Sequence, residues 1–210
     1  PLHSFAHIER IIMEKKRKFR IVYNSPVTLT FAAISLVSLI LGYITKGWTT
    51  EHIFMVYRSS LLNPMTYLRL FTHVLGHADL NHYVSNFTLI LLLGPLIEEK
   101  HGSGNLLVMI ALTALITGIL QMIFFPNVAL CGASGIVFML IMLSSFASAR
   151  SDDGIPLTLI LVGVLYIGSE IVTGLSVRDN ISQFGHVIGG VCGGSFGYFL
   201  KRDKQNSMKI

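Results

Sequence analysis

Charge is what this sequence has least of. Asp, Glu, Lys and Arg make up 13% of its 210 residues, where a soluble domain carries about a quarter. Hydrophobic residues reach 52% and the mean hydropathy is +0.64. This excludes a water-soluble globular domain and a disordered chain, and it puts the protein in a bilayer. Cysteine is almost absent. Cys131 and Cys192 both lie in apolar sequence, which excludes a disulfide framework or a cysteine metal site and leaves them as small buried residues. The net charge of +5 could suggest nucleic acid, but no aromatic stacking platform accompanies the basic residues, so no nucleic-acid partner is expected. A convincing internal repeat is also missing, which argues against a small transporter. The length leaves no room for a second domain.

The apolar residues are gathered into six runs, roughly 27–45, 80–97, 106–125, 132–149, 155–175 and 184–200. Each is about long enough to span a bilayer as a helix. The expected architecture is an all-α membrane protein, a six-transmembrane-helix bundle over 27–200. It is preceded by a basic amphipathic segment (1–26) and followed by a basic tail (201–210). The segment interleaves Arg10, Lys15, Lys16, Arg17, Lys18 and Arg20 with Ile8, Ile11, Ile12 and Met13, a pattern suited to anionic lipid. The chain begins at Pro1 instead of Met, which reads as a trimmed start, and the first apolar run is too long for a signal-peptide core. Counted by alternate sides, twelve of the sixteen Lys and Arg fall on the side of the termini, so both termini are expected to be cytoplasmic. The other side holds Lys46, Arg58, Arg69 and Arg178. The connection 46–79 is out of proportion. Its Trp48, Phe54, Tyr57, Tyr67 and Phe71 predict a structured first outer loop lying in the interface.

Polar side chains within such runs are expensive, and each one is a functional-site candidate. Ser134 sits in Gly132-Ala133-Ser134-Gly135 at the mouth of the fourth run. Glycine on both sides lets a backbone approach closely, and the N–H groups of a helix start can face a developing oxyanion. Alone, the motif reads equally as tight helix packing. His186 begins the sixth run, so the alternating topology puts it at the depth of Ser134. Gly189, Gly190, Gly193, Gly194 and Gly197 share its helix face, a packing face that would hold a neighbouring helix rigidly beside the imidazole. In the second run His82 and Asn86 project from one face, with His77 just above in the loop. These offer no carboxylate, and Asn is a poor zinc ligand, so neither a metal nor a cofactor is expected. An amide suits an oxyanion better.

Taken together, these residues resemble the rhomboid intramembrane serine proteases. The match runs in order along the chain: His77, His82 and Asn86; Gly94, Glu98 and Gly102-Ser103-Gly104; Gly132-Ala133-Ser134-Gly135; then His186 and Gly189. The resemblance implies a Ser134–His186 catalytic dyad. Asn86, His82 and the Ser134 N–H would stabilise the oxyanion, with His77 in support, and transmembrane proteins would be the substrates. It also implies that Arg69 and Glu98 are structural. Two positions depart from the family pattern, Leu68 where Trp is frequent and Phe138 where an aromatic hydroxyl is frequent. Neither touches a reacting atom, and Phe138 one turn below Ser134 can still stack on His186.

A cavity lined by His77, His82, Asn86 and Gln121 and open to the non-cytoplasmic side is expected to supply water. By family analogy the fifth run, with Glu170, is the moving gate, although Glu170 itself reads as an interfacial carboxylate. The expected location is the bacterial inner or plasma membrane, as a multi-pass protein. Asn86-Phe87-Thr88 and Asn180-Ile181-Ser182 fit the glycosylation pattern, but the first falls inside a run and the second matters only in a secretory pathway. A catalytically silent relative acting as a membrane-protein adaptor is the alternative, and it should lack the serine or the histidine.

Overall fold

The computed structural model describes residues 22–147 and 180–207, with the isolated positions 157 and 161. Within them the chain is helical, with no strand: α1 (Pro26–Ile44), α2 (Trp48–Ile53), α3 (Pro64–Thr72), α4 (Leu80–His101), α5 (Ser103–Phe124), α6 (Ser134–Ala147) and α7 (Asn180–Ser207). Five of the six apolar runs coincide with helices. The fifth run, Glu170, Arg178 and the basic segment up to residue 21 lie outside the described residues. Helices α1, α4 and α5 are long and apolar enough to cross a membrane, and α6 is a shorter apolar helix. Leu92 and Leu107, both more than half exposed, show the outward apolar face that lipid requires.

Local sequence sets the helix ends. Pro26 opens α1 and Pro64 opens α3, where proline's missing N–H costs nothing. The Asn63 side chain accepts the Met65 N–H at 3.0 Å, and Asp79 accepts the His82 N–H at 2.8 Å, so each caps the helix it precedes. Gly102, with φ of +86°, turns α4 into α5 in a conformation that other residues adopt only at a cost.

The connection between α1 and α4 is structured, as its aromatic content predicted. Arg69, buried, donates from Nε to the His52 carbonyl at 2.7 Å and lies over the Tyr57 ring, 4.4 Å from its centroid. Thr72 donates to the Ile53 carbonyl. These bonds fold α2 and α3 against each other. Val56 then pairs with Leu130 through two backbone bonds of 2.9 Å, which ties this connection to the segment that precedes Ser134.

The core is built where the helices cross. Phe87, Ile90 and Ile97 of α4, Leu106 of α5 and Ile136, Met139, Leu140 and Leu143 of α6 are almost fully buried. At the α1–α4 crossing Glu98 receives the Val27 and Thr28 N–H groups at 2.8 and 2.9 Å. The Thr28 and Ser103 hydroxyls also donate to it, both at 2.8 Å. A buried carboxylate is tolerated only when satisfied in this way. Gly94 lets Thr28 reach it, since a Cβ there would lie 2.7 Å from Thr28 Cγ2.

Candidate active site

Glycine decides how α6 and α7 meet. A Cβ on Gly189 would run into the Gly135 carbonyl, a Cβ on Gly193 would run into the Met139 carbonyl, and a Cβ on Gly135 would come within 3.3 Å of the Gly185 carbonyl. The helices therefore touch backbone to backbone at Gly185, Gly189 and Gly193, at the four-residue spacing of one helix face. Ser134, the first residue of α6, and His186, one residue past Gly185, flank this contact and are both half-buried. One turn into α6, Phe138 packs on the His186 ring with centroids 4.6 Å apart and planes tilted by 41°. The contact expected of Phe138 is present without the hydroxyl.

The third side is α4. Gly132 has φ of +130°, and a Cβ there would stand 2.7 Å from His82 Cε1, 2.8 Å from His82 Nε2 and 4.0 Å from Asn86 Nδ2. The His82 imidazole thus lies on the bare backbone two residues before Ser134, with the Asn86 amide just behind. The His77 ring meets His82 edge to face at 5.0 Å and touches Tyr83 and Phe87. The five residues singled out from the sequence are thus gathered at one end of α4, α6 and α7.

Several polar atoms here are buried without a protein hydrogen bond: Asn86 Nδ2, His77 Nε2, His73 Nε2, Thr117 Oγ1 and Gln121 Oε1. Gln121, expected to line an open cavity, is completely buried and donates from Nε2 to the Val128 carbonyl at 3.1 Å. It braces the segment leading to Ser134. Burial holds the His77 imidazole down at a pKa of about 4, and the nearby His82 adds to this. His73 is also lowered to about 4 by burial, partly offset by its bond to the Arg69 carbonyl. Both rings are neutral at physiological pH.

Sequence reasoning missed His73. Its carbonyl accepts the Gly132 N–H at 2.9 Å and its Nδ1 lies 3.1 Å from the Arg69 carbonyl, so it joins the first connection to the Gly132 turn. Its place four residues before His77 was the available signal, but a role played by a backbone carbonyl leaves no mark on residue type. Among the described residues no three His, Cys, Asp or Glu side chains gather as a metal-ligand set.

Fold and site together define a polytopic helical membrane protein with a cluster of histidines and one amide beside a glycine-flanked helix start. Residues 64–203 match the Rhomboid domain family model. The chain belongs to the rhomboid family. It is 27% identical over 194 residues to the rhomboid protease GluP of Bacillus subtilis (strain 168), a match covering 87% of this chain and 36% of that protein. It is 30% identical over 110 residues to the rhomboid protease GlpG of Salmonella choleraesuis (strain SC-B67), covering 51% of this chain and 40% of the relative. The chain spans less than half the length of these curated relatives. The family and the apolar helices make it an integral membrane protein.

Proposed function

We propose that the protein is an intramembrane serine endopeptidase that hydrolyses peptide bonds in or near transmembrane segments of other membrane proteins, through Ser134 and His186. The observation that carries this reading is the three-sided enclosure of the α6 start: Gly135 on Gly185 and Gly189, Gly132 under His82, and the unpartnered Asn86 Nδ2 behind it.

The chemistry follows from these atoms. His186, neutral, accepts the Ser134 hydroxyl proton as Oγ attacks the scissile carbonyl. The carbonyl oxygen becomes an oxyanion, received by the Asn86 amide, the His82 ring and the Ser134 N–H. His186 then gives its proton to the leaving amine, and water repeats the sequence on the acyl-enzyme. No carboxylate is needed to orient His186, because the glycine seam and Phe138 fix its ring by packing. In this reading six spans leave both termini cytoplasmic, the site opens to the non-cytoplasmic side of a bacterial inner membrane, and residues 155–175 form the lateral gate.

Labelling with a serine-directed fluorophosphonate tests the nucleophile without needing a substrate. The chain should label and its Ser134→Ala variant should not; equal labelling of the two would refute the assignment. A base must be unprotonated, so cleavage of a model transmembrane substrate should fall on acidification, and a flat profile down to pH 5 would contradict the role of His186.

A further inference from the structure

A pocket of about 310 Å³ adjoins this site at His77, between the end of α1 and helix α2, with Leu39, Tyr43, Lys46, Glu51 and Met55 in its walls. Its size is at the lower end of small-molecule sites, which run from roughly 300 to 1,000 Å³.

Lys46 sits in the left-handed region with φ of +53°, unlike any other described residue that is not glycine. It follows the last turn of α1, where the Gly47 N–H closes onto the Gly42 carbonyl at 2.8 Å. Glycine is the residue that such a turn favours. A lysine kept there at a cost in stability marks a side chain wanted for something else. Glu51 stands five residues on in the same pocket, and among the described residues neither charge is engaged in an ion pair. A bare anion would be repelled by Glu51 and a bare amine by Lys46, whereas a zwitterion satisfies both. On α1, Ile40, Tyr43 and Ile44 are exposed and offer an apolar track for acyl chains. On the inner wall, buried His77 has an unpartnered Nε2 and an edge-to-face contact with His82.

We infer that this pocket is a seat for a phosphoethanolamine group, the headgroup of a membrane phospholipid, with its phosphate on Lys46 and its ammonium on Glu51. Through His77 the seat adjoins His82, so occupancy would bias the geometry around Gly132. That last consequence rests on the proposed function, but the seat itself does not.

The whole protein, equilibrated in nanodiscs of phosphatidylglycerol with a minor share of phosphatidylethanolamine and released for native mass spectrometry, should retain one phosphatidylethanolamine with at least tenfold preference. Lys46→Gly removes the cation and also relieves the φ strain. It should lose that preference while melting no lower than the parent, and Glu51→Gln should weaken it. Soluble phosphoethanolamine that binds at millimolar concentration, is lost with Lys46→Gly and brings no lipid preference would support the seat with a soluble ester as its source. Equal retention of both lipids with no effect of phosphoethanolamine, or full retention by Lys46→Gly, would overturn the proposal. The Ser134→Ala variant should bind the same lipid, so failure of the proteolytic reading would leave this result standing.

Discussion

Two polar clusters along α4, around Glu98 and around Asn86, treat their buried groups in opposite ways. At Glu98 both carboxylate oxygens are occupied, by Val27, Thr28 and Ser103. Twelve residues earlier, about 18 Å along the helix at 1.5 Å per residue, Asn86 Nδ2 is buried with no protein acceptor, and His77 Nε2 is in the same state. An unmade hydrogen bond on a buried group costs about 1–3 kcal/mol, so a fold selected for stability alone would close these as it closes Glu98. On the proposed function, the difference separates a polar cluster that fastens helices from one that serves the reacting group.

This contrast can be broken at several points. The largest effect is expected at the nucleophile and base. Ser134→Ala or His186→Ala should each lower cleavage of a transmembrane substrate by a factor of about 10⁴ or more with the melting temperature unchanged, measured in reconstituted vesicles. Asn86→Ala should slow turnover by about 10²–10³, the usual loss for one oxyanion donor. It should not lower stability, because the amide removed had no partner to lose; a melting temperature that drops with activity intact would make Asn86 structural and erase the contrast. Glu98→Gln should do the reverse. One amide oxygen cannot serve four donors, so stability should fall by about 2 kcal/mol, while activity per folded molecule stays at the parent level.

The most gradual effect concerns pH. His73 and His77 are held near a pKa of about 4 when folded but titrate near 6.5 when unfolded, so the unfolded chain binds more protons between these values. Stability is therefore full above about pH 6.5 and declines as pH falls toward 4, by at most about 3 kcal/mol per group at roughly 1.4 kcal/mol per unit. Thermal melts in detergent from pH 7.5 to 4.5 should follow this slope, and His73→Gln should flatten it.

Much of the framework is legible in the chain itself. Apolar runs with few charges locate α1, α4, α5 and α6 within a few residues and the centre of α7, because a bilayer permits little else; α7 continues past its apolar run to Ser207. The face shared by His186, Gly189 and Gly193 follows from helical spacing alone. Less accessible are the parts whose meaning lies in backbone atoms: the His73 carbonyl on the Gly132 N–H, the Val56–Leu130 pairing, and Gln121 bracing Val128 from a buried position instead of lining an open cavity. Residue types predict side-chain chemistry, whereas these contacts depend on where two distant segments come to rest.

Composition and apolar runs alone make this a helical membrane protein, and the ordered motifs carry the resemblance to the rhomboid family. The reasons behind individual residues emerge only from the packed helices. Gly132 lacks a side chain because the His82 ring occupies that space, and Gly189 lacks one because the Gly135 carbonyl does. Which polar atoms stay unpartnered is likewise a property of the assembled helices, since hydrogen-bond satisfaction is settled only when every neighbour is in place.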